Sequence, residues 1–177
     1  MSDLLYLRIP RSEDVDFMLR LENDPDIWKV SQTEEPFTYD EIADFINDSK
    51  HNLFLEFQLR NVIVLKEGDT AIGTLDLFDY DDKERSAGIG ITICKDYRNK
   101  KIGSKALLLF VKMAFLDLNI RELYCTIFPD NIESISLFES CGFQREKLLK
   151  NNVQYRGQSY DVYLYRLKKE DIYEERN

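Results

Sequence analysis

The chain has 177 residues, of which 44% are hydrophobic and 32% charged, so we expect one folded domain over residues 1–177 and exclude a largely disordered protein. No stretch approaches the roughly 20 apolar residues of a membrane-spanning helix, and a formal net charge of −9 disfavours nucleic acid as a partner. The single histidine, His51, makes histidine-based metal sites and Ser–His or Cys–His catalysis poor candidates, and no metal cofactor is expected.

Two features predict a cytoplasmic protein. The N-terminal residues lack a basic segment followed by an apolar run, so no secretory signal is expected. The three cysteines, Cys94, Cys125 and Cys141, are far apart and lie in apolar contexts, which is typical of buried, reduced thiols.

The N-terminal part of the chain predicts a strand and two acidic helices. A strand at Leu4–Ile9 precedes a helix that begins at Ser12 and ends at the Asp24–Pro25 pair. Thr38 and Glu41 form the pattern of a capping box for the second helix. From residue 12 to residue 48, twelve acidic residues stand against two basic ones, a net charge of −10 that leaves about +1 for the rest of the chain. Such a segment attracts cations, although solvated outer helix faces give the same composition.

Three strands follow and predict an antiparallel meander: Phe54–Lys66, Thr70–Tyr80 and Ser86–Cys94. The third strand leads into a basic turn, and the turn opens a long helix over Ile102–Leu118. Between residues 95 and 105, five basic residues stand against one acidic residue. Free backbone N–H groups at the start of a helix bind phosphate, and nearby Lys and Arg strengthen that attraction. An ordinary basic helix start shows the same pattern.

The C-terminal part predicts a strand at Glu122–Phe128, a short helix at Asn131–Ser140 and a closing hairpin. The hairpin strands are expected at Phe143–Lys150 and Gln158–Leu167. Two pairs of turn residues lie between them: Asn151-Asn152 and Arg156-Gly157. The fold class is therefore a mixed α/β fold.

Two blocks of sequence resemble the GNAT superfamily of N-acetyltransferases. The run YRNKKIGSKALLLF at 97–110 is similar to the acetyl-CoA loop of that family, usually Arg/Gln-x-x-Gly-x-Gly/Ala. Arg98 and Gly103 match this pattern, whereas Lys101 replaces the first glycine. The block at 131–143 matches the family pattern Asn-x-x-(Ala/Ser)-x-x-(Leu/Ile)-(Tyr/Phe)-x-x-x-Gly-Phe. The order of the predicted elements fits as well, so the resemblance covers nearly the whole chain.

The resemblance implies an acyl-CoA N-acyltransferase fold, with a central, mostly antiparallel sheet flanked by helices, and acetyl-CoA as co-substrate. It implies that acetyl-CoA is bound by a set of residues on the strand end, the basic turn and the two helix starts: Ile91, Ile93, Arg98, Lys100, Lys101, Ile102, Gly103, Ser104, Asn131 and Phe138. The amide of Asn131 is expected to hydrogen-bond the pantetheine arm and also has a structural reason to cap its helix.

Within the superfamily, the chain is similar to the bacterial spermidine/diamine N-acetyltransferases in TEEPF at 33–37, in residues 73–91 and in the tail 151–167. The tail at 151–167 is also similar to that of ribosomal-protein alanine N-acetyltransferases. The −10 segment favours a polyamine, since a polycation gains from clustered carboxylates. An alkylammonium with a pKa near about 10 must lose a proton before it can attack a thioester. Glu34, Glu35 and Asp76 are candidates for amine recognition or for the general base.

The resemblance also implies direct transfer, in which the amine attacks the thioester carbonyl and the coenzyme A thiolate leaves. Many relatives protonate this thiolate with a tyrosine, and Phe138 stands at that position. Ser134 could donate instead, another tyrosine or a water could do so, or the protein could be a non-catalytic binder. Backbone N–H groups are expected to polarise the carbonyl where the strand Ile89–Ile93 separates from Leu123–Ile127.

The sequence therefore predicts an acetyl-CoA-dependent N-acetyltransferase for a primary amine, preferably a polyamine or diamine such as spermidine. Three alternatives stay open: acetylation of a protein N-terminus, acetylation of an amino sugar, and a non-catalytic module that binds coenzyme A or polyamine. The expected partner is a small-molecule amine, without nucleic acid or membrane, and edge strands in the closing hairpin favour a homodimer or a higher homo-oligomer.

Overall fold

The protein is described over residues 4–173 in a computed structural model; residues 1–3 and 174–177 of the predicted domain lie outside the described residues. Seven strands occur in the described part: Leu5–Arg8 (β1), Leu59–Leu65 (β2), Thr70–Asp81 (β3), Ser86–Ile93 (β4), Glu122–Ile127 (β5), Gln144–Tyr155 (β6) and Gln158–Lys168 (β7). Seven α-helices accompany them: Val15–Glu22 (α1), Pro25–Ser31 (α2), Tyr39–Asp48 (α3), Leu53–Glu56 (α4), Ile102–Leu116 (α5), Ile132–Ser140 (α6) and Lys169–Ile172 (α7). No helix within residues 4–173 has the length and apolar character to span a membrane.

All seven strands form one sheet in the order β1-β2-β3-β4-β5-β7-β6. Neighbouring strands run antiparallel except β4 and β5, which are parallel and are connected by α5. A parallel pair requires such a crossover, because a tight turn cannot reverse the chain direction twice. The predicted mixed α/β fold with a mostly antiparallel sheet and flanking helices is confirmed.

The core lies between α5 and the sheet. The α5 residues Ala106, Leu107, Phe110 and Phe115 are fully buried, since the adjacent pair Ala106 and Leu107 and the two residues that follow at steps of three and five positions lie on one broad side of the helix. They belong to the same cluster as buried side chains of β3, β4 and β5. A second, smaller cluster of apolar side chains joins α1 to α3.

The parallel strands β4 and β5 separate after a short paired region. Only three residues of β4 pair with β5: Ser86, Ala87 and Gly88. The two strands continue to Ile93 and Ile127 without further pairing to each other. At the point of separation, a Cβ on Gly88 would lie 2.2 Å from the ring of Phe78, so a side chain here would force that ring to move. A wedge-shaped gap therefore opens in the middle of the sheet.

Two helices begin where none was predicted. The first predicted helix ends before the Asp24–Pro25 pair, as expected, whereas the predicted start of the next strand at Phe54 was wrong. Asp24 caps α2 by accepting a hydrogen bond from the backbone N–H of Asp26 at 3.0 Å, and Pro25 fits the first helical position. The pair that ends one helix thus starts the next. The beginning of the predicted strand Phe54–Lys66 is instead the helix α4, which Asn52 caps by accepting from the N–H of Phe54.

The closing hairpin is longer than predicted. Arg156 and Gly157 have φ values of 48° and 73°, the conformation of a tight two-residue turn. Asn151 lies inside β6, where the pairing register with β7 shifts between Leu149 and Val153. One of the two predicted turns is therefore a bulge within the strand.

The three cysteines are free thiols, and burial raises the pKa of each. Cys125 and Cys141 are buried as predicted, whereas Cys94 is only half-buried because it follows the last residue of β4.

Candidate active site

A cleft of about 960 Å³ opens where β4 and β5 separate. It is lined by residues of α1, α2, β2, β3, β4, α5 and α6. Nine of the predicted site residues line it: Asp76, Ile91, Ile93, Arg98, Lys101, Gly103, Ser104, Asn131 and Ser134. Residues that are far apart in the sequence are thus brought to one concave surface.

Three residues predicted to bind acetyl-CoA do not line the cleft. Phe138 is buried in the core, where its ring meets that of Phe143 edge to face at a centroid distance of 5.0 Å. Ile102 is also buried in the core. Lys100 is exposed, and its ammonium lies 5.5 Å from the ring centroid of Tyr97.

The predicted acceptor residues divide in the same way. Asp76 lines the cleft, but Glu34 and Glu35 are exposed and do not. The Glu34 carboxylate accepts a hydrogen bond from the backbone N–H of Arg156 at 3.1 Å. This contact joins the loop before α3 to the turn between β6 and β7.

One side of the cleft has uncapped backbone N–H groups at a helix start. Lys101 precedes α5 in a left-handed conformation with φ of 57°, and no side chain accepts from the first backbone N–H groups of the helix at this cap. Such N–H groups and the positive end of the helix dipole favour a phosphate. The Arg98 guanidinium turns back, donates to the carbonyl of Ile93 at 2.9 Å and lies 3.7 Å from Asp24. Its charge is therefore partly engaged within the protein.

The start of α6 forms the neighbouring wall. Asn131 caps this helix by accepting a hydrogen bond from the backbone N–H of Ser134 at 3.2 Å. Ser134 is half-buried and lines the cleft with Asn131. Two small polar groups thus face the cleft from the first turn of α6.

A cluster of opposite charges lies on the other side. The Arg60 guanidinium donates to both oxygens of Asp76, at 2.6 and 3.1 Å, and to Glu22 at 2.5 Å. Burial disfavours the charge of Arg60, but the two carboxylates outweigh it and raise the pKa of Arg60 above its ordinary value. All three side chains line the cleft. Two carboxylates on one guanidinium leave an excess of one negative charge.

Strand register sets the distance between the two charged sides. Asp76 lies opposite Arg60 on β2 and opposite Gly90 on β4. The three steps from Gly90 to Ile93 span about 10 Å of β4, after which the basic turn begins. The edge of β4 that is not paired with β5 therefore connects the acidic cluster to the start of α5.

Glu22 and Arg60 line the cleft and were not predicted as site residues. A signal for Arg60 was present, because it is the single charged residue in the mostly apolar strand LRNVIVL. Its partners could not be identified without the pairing of β2 with β3, and Glu22 comes from a helix 38 positions earlier. Within residues 4–173, no group of three or more His, Cys, Asp or Glu side chains is arranged to hold a metal ion.

Comparison with known proteins decides the family. A family model described as an acetyltransferase (GNAT) domain matches residues 5–144. The chain belongs to the GNAT acetyltransferases. The predicted resemblance is confirmed, and this GNAT protein is an N-acetyltransferase enzyme.

Relatives of this GNAT protein include both uncharacterized and named enzymes. It is 30% identical to the uncharacterized N-acetyltransferase p20 of Bacillus licheniformis over 96% of both chains. It is 26% identical to the spermidine N(1)-acetyltransferase of Vibrio cholerae over 92% of this chain and 91% of that relative. The crystal structure of spermidine N-acetyltransferase from Vibrio cholerae in complex with CoA and spermine matches with a TM-score of 0.85 and 24% identity, over 95% of this chain and 97% of that chain. The structural match shows the shared fold.

Proposed function

We propose that this GNAT enzyme transfers the acetyl group of acetyl-CoA to a primary amine of a polyamine or diamine such as spermidine. The observation that carries the proposal is the distribution of charge along one cleft. The start of α5 with Lys101 suits the phosphates of coenzyme A, and the cluster of Glu22, Arg60 and Asp76 suits an alkylammonium. The spermidine N(1)-acetyltransferase of Vibrio cholerae, similar over most of the chain, supports the same acceptor class.

The residues around the start of α5 fit acetyl-CoA. The free N–H groups of the first turn, Gly103 and Ser104 receive the pyrophosphate, and Lys101 adds charge. A Cβ on Gly103 would contact Leu137 at 3.5 Å and Ile93 at 4.0 Å, which are ordinary van der Waals distances. Ile91, Ile93 and the amide of Asn131 hold the pantetheine arm along the exposed edge of β4. The bound donor supplies an acetyl group activated as a thioester.

Asp76 holds the amine on the acidic side. Its carboxylate is oriented by two hydrogen bonds from Arg60, and Glu22 shares the same guanidinium, so one negative charge is left for the substrate. Asp76 accepts the proton of the bound ammonium through a water, which makes the nitrogen lone pair available for attack. Glu34 and Glu35 have the weaker role of attracting a polycation to the acidic surface, since they lie outside the cleft lining.

Transfer forms the amide N–C bond and breaks the C–S bond. Backbone N–H groups of β4 beyond Gly88, which have no partner on β5, stabilise the negative charge that develops on the carbonyl oxygen. The attacking nitrogen loses its second proton to the departing thiolate. Ser134 donates a hydrogen bond to this thiolate, because it lines the cleft whereas Phe138 is buried and has no donor. The reaction thus needs no tyrosine at position 138.

Location and assembly stay predictions. β6 forms an edge of the sheet and most of its residues are exposed, so it is the surface we propose for a homodimer or higher homo-oligomer. Light scattering after size-exclusion chromatography tests the assembly, and cell fractionation tests the cytoplasmic location.

The function is tested by thiol release from acetyl-CoA with spermidine, spermine, 1,4-diaminobutane, a peptide that begins with alanine, and an aminoglycoside. We expect turnover with the first three amines. Turnover with the peptide or the aminoglycoside alone contradicts the proposed acceptor. If the protein binds acetyl-CoA but no amine causes thiol release, the proposed function is contradicted as well.

A further inference from the structure

A cation site on the cleft wall is occupied by a lysine of the protein itself. The ammonium of Lys29 lies 4.6 Å from the ring centroid of Phe128 and 4.7 Å from that of Tyr160. It also forms an ion pair with Asp130 at 3.2 Å. The two rings meet edge to face, with centroids 5.9 Å apart and an interplanar angle of 90°. Two aromatic rings and a carboxylate around one point are the groups that recognise an alkylammonium.

The helix that carries Lys29 is weakly held. None of the seven residues of α2 is buried, so the helix adds little to the core. Its charged contacts are exposed or half-exposed: besides the Lys29 pair, Asp26 meets Lys95 at 3.3 Å. Exposed ion pairs contribute little to stability and are screened by salt. Lys29 can therefore leave its site without disturbing the rest of the fold.

We infer that the aromatic pocket, defined here as Phe128, Tyr160 and Asp130, binds the second ammonium of the acceptor after displacing Lys29. The inference rests on the proposed polyamine function. Lys29, Phe128 and Asp130 line the same cleft as Asp76. One flexible polyamine in this cleft can therefore place one ammonium at Asp76 and another at Asp130. The exchange replaces one alkylammonium by another, and the substrate takes over the cation–π and ionic interactions that Lys29 gives up. A monoamine lacks the second ammonium and gains nothing, so the aromatic pocket favours polyamines over monoamines.

The kinetic test removes the internal competitor. Lys29→Met keeps an unbranched side chain without charge, so we expect the KM for spermidine to fall roughly fivefold to tenfold, the range of one cation–π contact. The KM for butylamine should not change. Lys95→Met is the matched control, because it breaks another charged contact of α2 and leaves the aromatic pocket intact. If Lys29→Met raises both KM values or shifts them equally, Lys29 only fastens α2 to the rest of the protein, and the inference is overturned.

A binding test separates the aromatic pocket from acetyl transfer. Trp28, the one tryptophan of the chain, precedes Lys29 in α2 and donates from its indole N–H to the carbonyl of Glu22 at 3.0 Å. Spermidine is titrated against its fluorescence in the wild type, in Lys29→Met and in the double variant Lys29→Met/Tyr160→Leu. We expect Lys29→Met to bind spermidine at least fivefold more tightly, and the double variant to lose this gain.

If the wild type and Lys29→Met bind spermidine with equal affinity, the inferred role of the aromatic pocket is overturned, whether or not any amine is acetylated. Tighter binding by Lys29→Met without acetylation of spermidine contradicts the proposed function and leaves the aromatic pocket supported.

Discussion

Two clusters of this molecule pair an arginine with carboxylates, and they differ in net charge and in exposure to solvent. Arg8 donates to both oxygens of Asp14, at 2.6 and 2.8 Å, and the side chains are only 11% and 4% exposed. Arg60 instead serves two carboxylates, Glu22 and Asp76, and the three side chains are 13–25% exposed on a cleft wall. A balanced, closed pair joins β1 to the start of α1. An unbalanced, open cluster retains negative charge for a ligand.

The same two side-chain types thus serve stability or function according to how many carboxylates share the arginine. Asp14 also accepts from the backbone N–H of Arg11 at 2.7 Å, so its lone pairs are used within the protein. At Arg60, each carboxylate keeps lone pairs that can face the cleft. Stability should therefore depend on the first cluster and amine binding on the second.

The largest expected effect tests the closed pair. Asp14→Ala leaves the Arg8 charge buried without its partner, and we expect the free energy of unfolding to fall by about 3–5 kcal/mol. Urea denaturation measures this change, and turnover per folded molecule should stay at the wild-type value. The double variant Arg8→Met/Asp14→Leu should recover most of the loss. A loss below about 1 kcal/mol would place the pair with ordinary surface ion pairs.

The reverse effect is expected at the open cluster. Asp76→Asn keeps the shape of the side chain but removes its charge, so kcat/KM for spermidine should fall about 100-fold, or about 2.7 kcal/mol. Steady-state kinetics measure it, with Glu67→Gln as the control because Glu67 is exposed on the turn between β2 and β3. A fall in stability with kcat/KM unchanged would reverse the roles of the two clusters.

The closed pair also predicts a pH dependence. Burial alone raises the pKa of Asp14, but hydrogen bonds from Arg8 and from the N–H of Arg11 outweigh it, so the pKa lies below its ordinary value of 3.8. The unfolded chain then binds more protons between the two pKa values, and the contribution to stability is complete above the unfolded pKa and lost as pH falls through the folded one. Urea midpoints of the wild type and Asp14→Asn should converge in this acidic range. Parallel curves would contradict the shift.

The smallest effect is expected at Glu34, an acidic residue outside both arginine clusters. Glu34 is exposed, and its carboxylate accepts from the backbone N–H of Arg156 rather than from a side chain of the cleft. Glu34→Gln should change kcat/KM for spermidine less than about threefold at about 0.15 M salt, because an exposed charge acts through a screened field. A larger loss would move the acceptor site toward the loop before α3.

Local chemistry explains which elements were predictable. The capping box of Thr38 and Glu41 forms as expected, with the N–H of Thr38 donating to Glu41 at 2.7 Å and the N–H of Glu41 donating to Thr38 at 3.3 Å. Asn131 caps α6 in the same local way. The residues of the basic turn and of α6 come from contiguous motifs, and most of them line the cleft.

Features assembled across the sequence were not predictable. The acidic cluster needs the register that places Arg60 opposite Asp76 and the packing that brings Glu22 over from α1. The count of acidic residues in the −10 segment could not indicate which of them face a cleft. Pro25 lies after the end of α1 and at the first position of α2. It therefore both separates the two helices and starts the second one, and only the first of these roles was predicted.

The separated strands have a consequence for hydrogen exchange. β4 pairs with β3 along most of its length, but only its first three residues pair with β5. Beyond Gly88, every second amide of β4 therefore lacks an acceptor on the β5 side, since successive N–H groups of a strand point to opposite edges. Deuterium uptake should alternate between slow and fast along this central strand, and a bound donor that accepts from these amides should slow the fast positions.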